Sequence, residues 1–273
     1  FKSINQKAGI AWKDQNAVQK HVISCVSLSC ISLNKIRERN FKIVIDAVNG
    51  AGSDALPLVL DSLGCEVVKI NCEPNGIFKR GAEPLPENLK HLSETVVKHK
   101  ADAGFAIDPD ADRLAIVDEN GVALGEEYTL VLAADGYIKN TNKSDEKFVI
   151  NLSTSMALEK LASKIGIDVE RSAVGEINVV NKMNDLNSNF GGEGNGGVIL
   201  RESHMGRDSL VAATLVLNRM AQSNTTLSSI FNTLPQYKII KDKISIKNLD
   251  SNKLIDKLSS LFKDAEKSTI DGI

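Results

Sequence analysis

Short apolar runs alternate with helix-like stretches along the first half of the chain. Two such runs, at 41–45 and 66–70, enclose a Gly-rich break and a helical stretch, which is the order of a βαβ unit. Two further runs, at 104–107 and 114–117, flank a group of acidic residues like the arms of a hairpin, and a long apolar helix is predicted over 126–138. This pattern predicts a compact α/β domain that is complete by about residue 138.

The same order of elements begins again after this point. An apolar run at 148–150 is followed by a helix-like stretch and a second apolar run. Segment 190–200 aligns without a gap on segment 105–115, so that Glu193 falls on Asp108. An internal duplication of this kind implies two similar α/β domains packed side by side, each presenting one loop at the same structural position.

Composition narrows the class of protein. The 42% hydrophobic and 25% charged residues fit an ordinary globular chain, and 33 Lys+Arg against 35 Asp+Glu provide no basic field for nucleic acid. No apolar run approaches the roughly 20 residues of a membrane span, and the N-terminal residues lack the apolar core of a signal peptide. We therefore expect a soluble, cytoplasmic protein without nucleic-acid or membrane partners.

Cysteine and histidine positions bear on redox state and metal binding. All four cysteines fall within the first 72 residues, which does not resemble a disulfide framework, so reduced thiols are expected. With neither His-x3-His spacing nor a cysteine taken as close to any of the four histidines, we expect no zinc site.

Three carboxylates follow the apolar run at 104–107 within five residues, namely Asp108, Asp110 and Asp112. They would repel one another and raise each other's pKa, so a divalent cation is their natural partner. Oxygen ligands of this kind suit Mg²⁺ or Mn²⁺. An EF-hand is excluded because its sixth position would be Arg113 where a Gly is needed. A solvated acidic turn and a haloacid-dehalogenase-type phosphatase, with Asp108 as nucleophile, stay open.

A second candidate site is the Gly-rich segment 191–197, which holds Glu193 and Asn195 among five glycines. Glycines let the backbone approach a ligand, and the two polar side chains suit sugar hydroxyls, while a flexible surface hairpin is the alternative. The Gly175-Glu176 loop is expected to face the same cleft. Segment 50–55 matches GxGxxA but is more typical of a tight turn than of a dinucleotide site.

On these residues the chain resembles the α-D-phosphohexomutase family, which includes phosphoglucomutase/phosphomannomutase and phosphoglucosamine mutase. The metal loop of the family, Asp-x-Asp-x-Asp-Arg, is matched by residues 108–113, and its sugar loop, Gly-Glu-x-Ser/Asn-Gly, by residues 192–196. Segments 41–53 and 174–183 also resemble the second and third domains of the family.

The resemblance implies an α/β fold with two similar three-layer domains with mixed sheets, plus the beginning of an α+β domain. The phosphoserine loop of the family's first domain and the phosphate loop of its fourth have no counterpart in the chain. The implied parts are a linker from a missing first domain at 1–16, domain II at 17–138, domain III at 139–237 and a truncated domain IV at 238–273. Within the last part, alternating apolar positions predict a half-buried strand at 238–246, and a helix is predicted over 252–263.

Site residues are implied in the same way. Mg²⁺ would be held by Asp108, Asp110 and Asp112, and Arg113 would be a catalytic residue beside the phosphoserine phosphate. A hexose phosphate would be bound by Glu193, Asn195, Gly175 and Glu176. Some members carry an acid/base Lys where this chain has Ala173, and Arg171 is a weak substitute.

The resemblance implies a phosphotransferase of the isomerase class, which interconverts hexose 1-phosphate and 6-phosphate through a phosphoserine and a bisphosphorylated sugar. The chain by itself is expected to be inactive. The alternatives are the phosphatase and a non-catalytic module that binds a metal or a sugar phosphate. The preferred hexose and the oligomeric state do not follow from the sequence.

Overall fold

A computed structural model describes residues 14–141, 146–237, 250–262 and 270–271 of the chain. The strands are β1 (Lys42–Asp46), β2 (Glu66–Ile70), β3 (Ala103–Ile107), β4 (Leu114–Asp118), β5 (Lys147–Asn151), β6 (Asp168–Ser172), β7 (Phe190–Glu193) and β8 (Gly197–Leu200). The helices are α1 (Ala17–Val26), α2 (Leu33–Glu38), α3 (Ala55–Ser62), α4 (Lys90–His99), α5 (Glu127–Ile138), α6 (Ala157–Ser163), α7 (Glu176–Asp185), α8 (Ser209–Ala221), α9 (Leu227–Thr233) and α10 (Ser251–Leu261).

Two four-stranded sheets of the same topology organise the molecule. The first has the order β2-β1-β3-β4 and the second the order β6-β5-β7-β8. In each sheet three strands run parallel and the last strand is antiparallel, as the arm of a hairpin. The prediction of two similar α/β domains with mixed sheets is confirmed.

Strand pairing corrects the internal alignment. The second residue of β1 pairs with Ala103 of β3, whereas the second residue of β5 pairs with Phe190 of β7. Phe190 therefore corresponds to Ala103, and the gapless alignment that placed Glu193 on Asp108 is wrong by two residues. The physical reason is that the β7–β8 hairpin has the shorter loop, so its acidic residue still belongs to the strand.

One apolar core joins the two sheets. Helix α5, which follows the first sheet, packs on β7, β8 and α6 of the second half, and α8, which follows the second sheet, packs on α1, α2 and α3 of the first. The two helices also pack on each other, and a Cβ added at Gly136 would lie 2.1 Å from the carbonyl oxygen of Leu215. The main cluster of buried apolar residues accordingly contains side chains from both halves.

The outer faces of the sheets are covered separately, which completes three layers in each half. Val44 and Ala106 of the first sheet pack under α4. Val149 and Ile199 of the second sheet pack under α7. Strand residues thus alternate between the shared core and an outer helix, as period-two patterning requires.

The last part of the chain is only partly described. The half-buried strand expected at 238–246 lies outside the described residues, as do residues 1–13 of the expected linker. The helix expected over 252–263 corresponds to α10. Within the described part of the chain, no helix has both the length and the apolar character needed to cross a membrane.

Candidate functional site

The acid loop, residues 108–113, leaves the carboxyl end of β3 with its first carboxylate fully buried. One oxygen of Asp108, Oδ1, accepts hydrogen bonds from the backbone N–H groups of Asp112 (3.0 Å) and Arg113 (3.1 Å). Asp110 is exposed and Asp112 is half-buried. One carboxylate oxygen from each of the three aspartates lies within 4.8 Å of the others, so the loop brings the predicted metal ligands together.

The charge of this loop fits a cation. Oxygen donors around an octahedral Mg²⁺ lie about 2.9–4.2 Å apart, which the three carboxylates reach with small adjustments. Oδ1 of Asp112 is buried and has no hydrogen-bond partner among the described residues. Burial, together with the neighbouring Asp108, raises the pKa of Asp112 to about 7. A buried carboxylate oxygen without a hydrogen-bond donor is suited to a metal ion.

Two neighbouring segments hold the acid loop. Ala111 has a left-handed φ of +64°, and its carbonyl oxygen accepts hydrogen bonds from the backbone N–H (3.2 Å) and Oγ (2.6 Å) of Ser209, the first residue of α8. The backbone N–H of Ala51 donates to the carbonyl oxygen of Pro109 at 2.8 Å, and a Cβ at Gly50 would lie 2.5 Å from that oxygen. The GxGxxA segment is therefore a turn packed against this loop.

Arg113 is held between two carboxylates. Its Nε donates to Oδ2 of Asp108 at 2.6 Å, and both terminal nitrogens contact Glu83. Burial opposes the charge, but Glu83 and Asp108 together raise the pKa of Arg113. The side chain is thus a fixed cation at the mouth of the acid loop.

The glycine loop, residues 194–196, follows a buried Glu193 at the end of β7. Oε1 of Glu193 accepts hydrogen bonds from Nδ2 of Asn151 at 2.6 Å and from the backbone N–H of Gly175 at 3.2 Å. Oε2 accepts one from Nδ2 of Asn195 at 3.3 Å. Glu193 is only 3% exposed, and these three partners come from three separate segments of the second half. The structure therefore groups Glu193, Asn195 and Gly175, as the sequence predicts.

Gly175 and Glu176 form the start of α7 rather than a free loop. Gly175 has a φ of +111°, a conformation that favours glycine, and it precedes the first helical residue, Glu176. Oε1 of Glu176 accepts a hydrogen bond from the backbone N–H of Arg207 at 2.8 Å.

Arg207, which is not among the residues predicted from the sequence, connects the two loops. One terminal nitrogen contacts Asp112 of the acid loop and the other contacts Glu193 beside the glycine loop. Its Nε lies 3.6 Å from Oε2 of Glu176. Burial opposes the charge, but the three carboxylates raise the pKa of Arg207. All predicted site residues thus form one continuous polar cluster around this side chain or next to it.

The only sequence signal for Arg207 is its place directly before Asp208, the N-cap of α8, whose side chain accepts hydrogen bonds from two backbone N–H groups of the first turn. A cap fixes where the helix begins, and hence the direction of the preceding residue. The partners of Arg207 lie far away in the sequence, so no local pattern indicates them.

Arg171 has a structural role. It binds Glu159 through Nε (2.8 Å) and Nη2 (2.9 Å), while Nη1 donates to three backbone carbonyl groups. A guanidinium bound on every nitrogen does not serve as a proton carrier. The group that replaces the Lys missing at Ala173 is therefore not Arg171.

Comparison with known proteins identifies both halves of the chain. The family profile of phosphoglucomutase/phosphomannomutase alpha/beta/alpha domain II matches residues 19–121, and that of domain III matches residues 125–237. A phosphoglucomutase/phosphomannomutase of Thermococcus kodakarensis is 35% identical over 232 residues, which cover 85% of this chain and 50% of the relative. A phosphoglucosamine/phosphogalactosamine mutase of Sulfurisphaera tokodaii is 34% identical, over 81% of this chain and 49% of the relative.

A solved structure shows the same fold. The crystal structure of a phosphoglucomutase/phosphomannomutase family protein from Burkholderia thailandensis superimposes with a TM-score of 0.76 at 26% identity, over 93% of this chain and 54% of that one. Fold and loops define an α-D-phosphohexomutase architecture. The chain belongs to the phosphoglucomutase/phosphomannomutase family. It spans about half the length of the curated relatives named above.

Proposed function

We infer that this chain provides the metal-binding and sugar-binding parts of a phosphohexomutase. The whole protein would interconvert hexose 1-phosphate and hexose 6-phosphate through a phosphoserine and a bisphosphorylated sugar. The observation that carries this proposal is the single polar cluster in which Arg207 joins the acid loop to Glu193. A phosphate-transfer site and a sugar-binding site need such a fixed separation in order to act on one substrate.

The residues divide the work by their charge and burial. Asp108, Asp110 and Asp112 would hold Mg²⁺, which when bound neutralises negative charge on a transferring phosphoryl group. Arg113, already a fixed cation next to Asp108, would orient the phosphate through its guanidinium. Neither role requires a large movement of the acid loop, because its backbone is held by Ser209.

The second half would orient the sugar. Glu193 can accept hydrogen bonds from two neighbouring hydroxyls, and Asn195 can donate and accept beside it. Oε2 of Glu193 is paired with Asn195 and Arg207, so a bound sugar would replace at least one of these contacts. Glu176, which is more exposed than Glu193, would contact the substrate from the start of α7.

The phosphatase alternative has less support. Asp108, its proposed nucleophile, has no exposed surface, and both its oxygens already accept hydrogen bonds. The relatives carry the names of mutases.

A mutase assay tests the proposal directly. The complete reading frame that contains this chain should convert glucose 1-phosphate to glucose 6-phosphate in the presence of Mg²⁺ and glucose 1,6-bisphosphate. Glu193→Gln should raise KM, whereas Glu94→Gln, an exposed change on α4, should leave the kinetics unaltered. Phosphate release without isomerisation would contradict the proposal. The 273-residue chain alone should show no turnover, and turnover by that chain would overturn the expected division of roles.

Preference among sugars is measured with the same protein. Glucose, mannose and glucosamine 6-phosphates differ at carbon 2, so the ratio of their kcat/KM values reports contacts to that carbon. The sugar phosphate with the highest kcat/KM is the preferred substrate, which the residues of the two loops do not identify.

A further inference from the structure

Four side chains that belong to neither loop converge where α1 meets the segment between β8 and α8. His21 and Cys25 stand four residues apart on α1, and His204 and Asp208 stand four residues apart before α8. His21 and Cys25 therefore lie on the same face of α1, whereas His204 lies in the non-helical segment after β8 and contacts Asp208 through its side chain. The expectation of no zinc site is based on the absence of both His-x3-His spacing and a nearby cysteine, and it overlooks Cys25, which stands four residues after His21.

The distances between donor atoms are close to those around a tetrahedral metal. Oδ2 of Asp208 lies 2.9 Å from Nε2 of His21 and 3.0 Å from Nε2 of His204, and Sγ of Cys25 lies 3.7 Å from Nε2 of His21. Around tetrahedral Zn²⁺, nitrogen and oxygen donors lie about 3.3 Å apart and nitrogen and sulfur donors about 3.6 Å. These three distances differ from the zinc values by at most about 0.4 Å, and one donor atom each of His21, Cys25 and Asp208 lies within 4.8 Å of the others. His204 would join this group of three through its contact with Asp208.

The ligand atoms are already positioned by the fold. Oδ1 of Asp208 accepts the backbone N–H groups of Leu210 (2.8 Å) and Val211 (3.2 Å), which leaves Oδ2 directed at the imidazoles. Asp208 and Cys25 are buried, whereas the side chains of His21 and His204 are 32% and 45% exposed. A metal ion can therefore enter from the imidazole side and meet the thiol and carboxylate inside.

Charge and ligand type select the metal. One thiolate and one carboxylate neutralise a divalent cation, and two neutral imidazoles complete a set of sulfur, nitrogen and oxygen donors. Thiolate and imidazole favour Zn²⁺ over Mg²⁺, which prefers oxygen alone. The cluster shares no residue with the acid loop, so the two sites would bind different metals.

We propose that His21, Cys25, His204 and Asp208 form a structural zinc site that fastens α1 to the start of α8. When the Zn–S bond forms, the thiol proton of Cys25 passes to solvent, and each imidazole uses its Nε2 lone pair with its remaining proton on Nδ1. No electron is transferred. The site would fix the backbone of Asp208 and, with it, the direction of the adjacent Arg207.

Cobalt substitution tests this site on the 273-residue chain. With excess Mg²⁺ present to occupy the acid loop, Co²⁺ should bind with one equivalent and give the absorption of a thiolate-to-cobalt charge transfer, which Zn²⁺ should abolish by displacement. Cys25→Ser should remove this absorption, and Cys65→Ser should keep it. Absence of the absorption in the unaltered chain, or its persistence in Cys25→Ser, would overturn the proposal.

A second variant guards against misfolding of Cys25→Ser. His204→Gln changes a partly exposed ring, so the fold should persist, and Zn²⁺ affinity should fall at least about 10–100-fold, the loss that even outer-shell changes cause. His99→Gln, an exposed change on α4, is the matched control and should leave the affinity unchanged. Equal Zn²⁺ affinity in the two variants would exclude His204 as a ligand and contradict the four-residue site.

Discussion

The acid loop and the glycine loop leave corresponding edges of two sheets with the same topology, yet they treat their carboxylates in opposite ways. In the acid loop three aspartates lie together and an oxygen of Asp112 has no hydrogen-bond partner among the described residues. Beside the glycine loop, Glu193 has partners for both of its oxygens. The acid loop is therefore suited to binding a cation. Glu193 is suited to binding a ligand whose hydroxyl groups replace its present hydrogen-bond donors.

Loop length accounts for this difference. The first hairpin uses residues 108–113 to leave the sheet, which gives room for alternate side chains to converge on one point. The second uses only residues 194–196, so its acidic residue stays in the strand and faces neighbours on the sheet. The shared sheet topology therefore determines the position of the two loops. The length of each loop determines whether its carboxylates lie together in the loop or stay in the strand.

Replacing the bridge between the loops should have the largest effect. Arg207→Met leaves Asp112 and Glu193 without their shared cation, and removal of one partner from a buried pair costs about 3–5 kcal/mol. Urea unfolding followed by circular dichroism measures this loss. Saturating Mg²⁺ should restore more stability to the variant than to the unaltered chain, since it compensates Asp112.

Lys35→Met, which removes an exposed cation from α2, is the control and should change the free energy of unfolding by less than about 0.5 kcal/mol. The bridge between the loops would be disproved as a stabilising contact if Arg207→Met behaved like this control.

The packing of the two halves is tested by Gly136→Ala. The new methyl group would meet the carbonyl oxygen of Leu215 in α8, and overpacking of this kind costs about 1–3 kcal/mol. Because the core is shared, calorimetry should show one unfolding transition at a lower Tm. Two separate transitions would show that the two halves unfold independently, which would contradict a shared core.

The difference in charge between the loops is tested by metal affinity. Asp110→Asn removes an exposed carboxylate, so folding should be unaffected, while the affinity for Mn²⁺ should fall about 10–100-fold, as for the loss of metal-site partners. Electron paramagnetic resonance of free Mn²⁺ measures the affinity. Glu193→Gln should change the Mn²⁺ affinity by less than about twofold. An equal loss of affinity in both variants would contradict the assignment of metal binding to the acid loop alone.

A small pH effect is expected where β4 meets α9. Burial raises the pKa of Glu119, but hydrogen bonds from Ser228 outweigh it and lower the pKa below the ordinary 4.5. The stabilisation is therefore present above about pH 4.5 and is lost as the pH falls below that value. Because solvent still reaches the half-buried Glu119, it should amount to less than about 1 kcal/mol.

Unfolding of the unaltered chain and Glu119→Gln, measured from pH 6 to about pH 3, should converge at the acid end. A constant difference across this range would show that Glu119 acts through packing rather than through its charge.

Much of the fold could be predicted because apolar runs bounded by turns specify strands directly. The run at 41–45 corresponds to β1 (Lys42–Asp46), and the helix predicted over 126–138 corresponds to α5. Helices α1 and α2 were not predicted, since their short amphipathic sequences have no turn signals as clear as those around the strands. Arg80, in segment 74–86, which is rich in Gly and Pro, shows the same limit, because its burial against Asp46 depends on the folded chain.

The candidate site divides in the same manner. The acid loop is visible in the sequence because its three carboxylates are adjacent, and their proximity follows from one turn. The grouping of Glu193, Gly175 and Asn195 follows from strand order and was anticipated. The bridge at Arg207 depends on a contact with Asp112, 95 residues earlier, and the cluster at His21 depends on contacts with the far end of the second half, which local patterns do not encode.

The exchange of α5 and α8 between the halves has a consequence for movement. Because the two sheets share one close-packed core, the halves have no separate surfaces that could slide past each other. The distance between the acid loop and Glu193 is therefore fixed. Under the proposed chemistry, a sugar that presents each of its phosphates in turn to one metal must itself rotate. These two domains would be the stationary surface against which that rotation occurs.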